Sequence, residues 1–264
     1  MGGRRPIRRR PEPPAVTVDV PDGAGMIELV GDDVAGMLSL AGEPVLLDGD
    51  PANYSWLFVR AGAQGSAEVK ALAEWTGSAE LDDLVRHGGA DPALPAVLGP
   101  LLRLLRAGRY LLTVREPHGA YPVGFRRPGH RVWYFDPYWG GPDEEIALVA
   151  TDEWPPRDRD RVAHYRDLIA RGRRPAVVAL FPPGGFVGYL LDGHHKLAAH
   201  GQAGTTPPVV AVTPVHRLAP DNGQLRRAVP AFVDAASGHG EIAVLDHLRT
   251  LSLGAAGRIE RPGG

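Results

Sequence analysis

Short apolar runs alternate with breaker-rich segments along most of this chain, and the spacing of polar positions assigns each run. Val16-Thr17-Val18-Asp19-Val20 alternates with period two and predicts a strand, closed by a Pro21-Asp22-Gly23 turn. Met26 to Val30, Pro44 to Leu47 and Ser55 to Arg60 predict further strands. Ser66 to Trp75 and Ala79 to His87 predict short helices. Leu94 to Ala107 predicts a longer one, with Leu98, Leu101, Leu102 and Leu105 at helical spacing and Gly108 as its stop. Strands are predicted again at Arg109–Arg115 and Arg131–Phe135.

The segment Pro137-Tyr138-Trp139-Gly140-Gly141-Pro142 is dense in breakers, and the pattern changes after it. Glu144 to Ala150 predicts a strand. Asp160 to Arg171 predicts an amphipathic helix with Val162, Tyr165, Leu168 and Ile169 on one face, ended by Gly172. Ala176–Phe181 and Phe186–Leu191 are apolar runs joined by Pro182-Pro183-Gly184-Gly185, which predicts a hairpin. Asp192-Gly193 bends the chain into a helix from His194 to about Gln202, and Val209–Thr213 predicts a last strand. The predicted class is α/β in the broad sense (α+β), in four parts. A disordered basic tail covers residues 1–14, an α/β region 15–142, a compact α/β unit 143–215 and a helical extension 216–264.

Composition narrows the function classes. Hydrophobic residues at 44% and charged residues at 23% are ordinary for a globular chain with its own core. A net charge of −2 does not favour nucleic acid as a general partner, which ordinarily meets a basic face. The exception is local: Arg4, Arg5, Arg8, Arg9 and Arg10 crowd the N-terminus. Cysteine is absent, which excludes disulfides, thiolate metal sites and cysteine nucleophiles and fits a cytoplasmic setting. No apolar run is long enough for a membrane helix, and no apolar stretch after the arginines resembles a secretory signal.

The chemistry concentrates at Asp192-Gly193-His194-His195-Lys196. Gly193 permits a tight bend and close approach of a ligand to the backbone. Asp192 is placed to cap the helix. A helix N-terminus offers outward N–H groups and partial positive charge, which suits phosphate. Two imidazoles and an ammonium in the first turn oppose the helix dipole unless an anion joins them. With a nucleotide present, Asp192 is the expected Mg2+ ligand. A helical zinc pair is not expected, because His195 and His200 are five residues apart rather than four.

Two stretches carry a resemblance. Tyr165–Ala179, including Gly172-Arg173-Arg174-Pro175, resembles the first helix, Gly-x-x-Pro loop and following strand of the ParB/sulfiredoxin superfamily. Gly188–Ala199 resembles that superfamily's Asp-Gly-His-His-Arg segment, with Lys196 where the arginine is usual. The resemblance spans about residues 144–215 and implies a nucleotide- and phosphate-recognising domain. Members of the superfamily include CTP-binding partition proteins, sulfiredoxins that use ATP and a catalytic cysteine, free-serine kinases, and proteins described as nucleases. The chain departs from sulfiredoxins in lacking cysteine, and from partition proteins in having only Pro214–Gly264 after the motif.

What the resemblance implies is therefore the kinase-like branch, in which a carboxylate before the first helix acts as base. Glu153 holds that place, with Asp158 second. The expected catalytic residues are Glu153, Asp192 and His195. ATP or ADP with Mg2+ would be held by Gly193, His194, His195, Lys196 and Arg174, and the second substrate would be a small hydroxyl-bearing molecule. Arg157, Arg159 and Arg173 are further candidates to clamp phosphate or carboxylate groups. The alternatives are a non-catalytic binding or regulatory module, and a DNA-associated nucleotide switch or nuclease.

Overall fold

The computed structural model describes residues 14–32, 35–49, 56–59, 69, 75, 78–87, 91–116, 119–123, 132–133, 145–185, 187–233, 244–245 and 247–251. The basic tail, nearly all of the helix expected at Ser66–Trp75 and the breaker segment 137–142 lie outside them.

The class is α+β. Twelve strands are described: β1 (Ala15–Ala24), β2 (Ile27–Gly31), β3 (Ala35–Leu40), β4 (Glu43–Gly49), β5 (Trp56–Val59), β6 (Arg106–Arg115), β7 (Gly119–Val123), β8 (Val132–Trp133), β9 (Glu145–Ala150), β10 (Val177–Leu180), β11 (Val187–Asp192) and β12 (Val209–Pro214). The helices are α1 (Ser78–Leu84, continued by a 3-10 turn at Val85–His87), α2 (Leu94–Leu102), α3 (Arg159–Ala170), α4 (His194–Ala203) and α5 (Asn222–Val233).

The strands form two sheets. The larger has the order β1-β6-β12-β10-β11-β9-β7, and the smaller is the antiparallel series β2-β3-β4-β5-β8. The expected hairpin is present, with Ala179 opposite Leu190 and Leu180 opposite Tyr189. Strand β12 lies parallel to β10, and β9 parallel to β11. A division at residue 142 does not separate two sheets. Strands β1, β6 and β7 come from the first half of the chain and complete the larger sheet. One row runs from Ala15 through Thr113, Ala211, Ala179 and Leu190 to Ala150.

The central strands of the larger sheet are buried on both faces, which is why they read as unbroken apolar runs. Val178, Leu180, Tyr189, Leu191, Val210 and Val212 face a core shared with Leu81 of α1, the leucines of α2 and the smaller sheet. Val177, Ala179, Phe181, Leu190, Val209 and Ala211 face the other way and pack on Leu197 of α4, with Trp154 at the margin. Leu197 is 2% exposed, and burial of such a side chain contributes about 1.5–3 kcal/mol to seating the motif helix. The far face of the smaller sheet is covered by Ala228 and Phe232 of α5 together with Val244, Leu248 and Leu251.

Several expectations are corrected. Helix α2 ends at Leu102 rather than Ala107. Leu104 and Leu105 are buried outside it, and Gly108 lies inside β6 instead of stopping a helix. Strands β3 and β7 had no predicted counterpart. The C-terminal extension is only partly helical: residues 216–221 are not, with Leu218 bridging Gly31, whereas α5 and the described residues of 244–251 are.

Candidate functional site

The turn between β11 and α4 begins where the hairpin ends, with Asp192 opposite Val178. Gly193 is the N-cap of α4 at φ +99°, in the left-handed region that side chains rarely adopt. A Cβ there would come 2.8 Å from Val177 Cγ1, so backbone conformation and space both demand glycine. The N-cap is itself a glycine, so it has no side chain of its own to cap the helix. Asp192 is the last residue of β11, immediately before that N-cap. The Leu197 N–H donates to the Gly193 carbonyl at 2.8 Å, and the N–H groups ahead of it have no partner within the helix.

The three basic side chains of the turn meet different fates. His194 is buried, and its Nε2 accepts from the Thr151 N–H at 3.2 Å. That nitrogen is an acceptor, so His194 does not present an N–H from it to an anion. Lys196 is 1% exposed, with its Nζ 2.9 Å from Asp82 Oδ1 and 2.8 Å from the Ala176 carbonyl. The expected phosphate ammonium is thus held inside the molecule, a correction to its expected role. His195 is half-buried.

Asp82 was not foreseen. It reaches from α1, where its Oδ1 also accepts from the Ala176 N–H at 2.8 Å. Burial pushes its carboxyl above the usual range, Lys196 pulls the other way, and the charge of Asp192 adds to the upward push. Asp82 lies 114 residues from Lys196 in sequence, and the Leu81-Asp82-Asp83-Leu84 stretch carries no sign of a distant partner.

Further along α4, His200 is fully buried. Its Nε2 donates to the Pro175 carbonyl at 3.1 Å, and its Nδ1 accepts from the Thr205 hydroxyl at 2.8 Å. Burial lowers its pKa to about 4, so it is neutral near pH 7.

The segment after β9 carries the candidate base. Thr151 is buried, and its hydroxyl donates to the Leu190 carbonyl while its N–H reaches His194, so the start of this loop is tied to the turn. Glu153 follows two residues later, half-buried, with Arg157 Nε 2.7 Å from one carboxylate oxygen and 2.6 Å from the other. Asp158 caps α3, accepting from the Arg161 N–H at 2.9 Å, as its alternative reading required. Arg174 leads away from the turn: its guanidinium donates to Glu116 at 2.8 Å and to the Thr206 carbonyl at 3.3 Å.

Among the described residues no cluster of three or more His, Asp or Glu side chains could hold a metal ion by itself. Asp192 could supply one carboxylate to a Mg2+ ion that arrives with phosphates, since such ions keep several waters and need few protein ligands. No helix among the described residues is long and apolar enough to cross a membrane. No family model, curated protein or solved structure matches this chain.

Proposed function

We propose that the Asp192–Lys196 turn binds nucleotide phosphates, and that the protein is a nucleotide-dependent phosphotransferase acting on a small hydroxyl-bearing molecule. The resemblance to the ParB/sulfiredoxin superfamily motivates this reading. The observation that carries it is the tie between Thr151 and His194, which holds the start of the Glu153 loop beside the glycine-capped N-terminus of α4. Phosphoryl transfer asks little covalent chemistry of a protein. It needs positioned phosphates, neutralised charge and an oriented acceptor hydroxyl.

In this reading the backbone of Gly193 to Lys196 and the His195 ring hold phosphate, and Asp192 organises Mg2+. Glu153 receives the acceptor's proton. Lys196 serves indirectly, anchoring α4 to α1 through Asp82. Arg157 is strongly exposed, so its hold on Glu153 is weak enough to exchange for a substrate hydroxyl. ATP or ADP is the expected nucleotide.

The test is a titration of ATP, ADP, CTP and GTP with Mg2+, followed by product analysis against a panel of small alcohols. Glu153→Gln should leave binding near normal and lower turnover by about 10²–10⁴-fold. A second reading, a non-catalytic binding module, is favoured by the Glu153–Arg157 pair, which already engages the expected base. Nucleotide binding without any product would support it.

A further inference from the structure

A separate cleft of about 200 Å³ opens between the end of α1 and the loop that follows α3. Its lining is mixed. Val85, Leu168, Pro175 and Pro208 supply an apolar floor. Arg86, Arg173 and Arg174 supply three guanidinium groups, two of them adjacent on the Gly172–Pro175 loop and the third brought from α1's 3-10 extension.

The charges at its rim do not balance. Arg86 and Arg173 share one carboxylate, donating to the same oxygen of Asp83, Arg173 at 3.0 Å. Arg174 pairs with Glu116 at 2.8 Å. Asp82 also lines the cleft, but Lys196 already neutralises it. Three guanidiniums therefore face two carboxylates, a surplus of one positive charge beside an apolar floor. The pairs themselves are loose. The Arg86, Arg173, Arg174, Asp83 and Glu116 side chains are all roughly half exposed or more, and ion pairs of that kind contribute little and exchange readily. An incoming anion with planar oxygens can take their place with bidentate geometry.

We propose that this cleft is a binding site for a small organic anion: a carboxylate or phosphate monoester whose charged head meets Arg173 and Arg174 and whose apolar body rests on Val85, Leu168 and the two prolines. The volume is below that of a drug-sized pocket, so the body is a few carbons or a single ring. The assignment is independent of the nucleotide reading of the Asp192 turn, because none of the turn's residues lines the cleft.

The experiment titrates the full chain with phenyl phosphate, benzoate and inorganic phosphate, followed by calorimetry and by NMR of the arginine side-chain N–H groups. Phenyl phosphate or benzoate should bind saturably and more tightly than inorganic phosphate, the preferred head group being read from the first two. Arg173→Ala with Arg174→Ala should weaken that binding about 10- to 100-fold. Asp83→Asn removes the carboxylate that competes for two of the guanidiniums. It should tighten binding several-fold, which a purely structural ion pair would not do. The proposal is overturned if no probe binds saturably, if binding survives the double arginine variant, or if Asp83→Asn weakens it.

Discussion

The buried and exposed ion pairs of this protein are built from the same kinds of group and behave as opposites. Lys196 and Asp82 are 1% and 14% exposed, and the pair is completed by the Ala176 carbonyl and N–H. Arg173 and Asp83 are 48% and 61% exposed. Burial decides the difference. A lysine held between a carboxylate and a carbonyl in the interior cannot leave without stranding a charge. An arginine at the rim exchanges its partner for water or a ligand at little cost. The basic residues that look most like a phosphate clamp in sequence are therefore partly structural, and the surface arginines are the ones open to ligands.

The sharpest way to break this comparison is to remove the buried lysine. Lys196→Met should cost about 3–5 kcal/mol of stability by leaving the Asp82 carboxylate without its counter-charge. The double variant Lys196→Met with Asp82→Leu should recover a large part of that loss. Urea denaturation of both variants measures it. Equal stability of Lys196→Met and the parent would mean that the pair carries no weight.

A second test uses pH. His200 has a folded pKa of about 4, depressed by burial below its ordinary 6.5. The unfolded chain takes up a proton as pH falls through 6.5, whereas the folded chain does not until near 4. The stability His200 contributes is thus present above pH 6.5 and is lost as pH falls toward 4, by about 2–3 kcal/mol. Urea midpoints across that range should fall in the parent, and His200→Gln should flatten that part of the slope.

The exposed side should respond far less. Arg157→Ala, in chemical denaturation, should change stability by no more than about 0.5 kcal/mol, since its pair with Glu153 is open to solvent. A loss comparable to that of Lys196→Met would erase the distinction between the two kinds of pair.

How much of this was legible in the sequence depends on the range of the forces involved. The hairpin of β10 and β11, the amphipathic α3 and the bend at Asp192-Gly193 follow from local patterning and turn chemistry, and all are present. Strand β3 escaped because Ala35-Gly36 follows a polar Asp32-Asp33 stretch and lacks the β-branched residues that mark strands. The end of α2 was misplaced because Leu104 and Leu105 continue a helical spacing while being buried by contacts with the first strands, such as the Ile27–Leu105 bridge. At the site, Gly193 and the Asp158 cap were readable from their own neighbours. The roles of Lys196 and His194 were not, because Asp82 and Thr151 reach them from elements far away in the chain.

The measurement that bears most directly on the central claim is calorimetric titration of ATP with Mg2+ into the parent protein and into His195→Ala. If the Asp192–Lys196 turn is the phosphate site, the parent binds saturably, and His195→Ala weakens binding by about 10- to 100-fold without changing the fold. Binding of equal affinity in the two proteins, or no nucleotide binding in the parent, contradicts it.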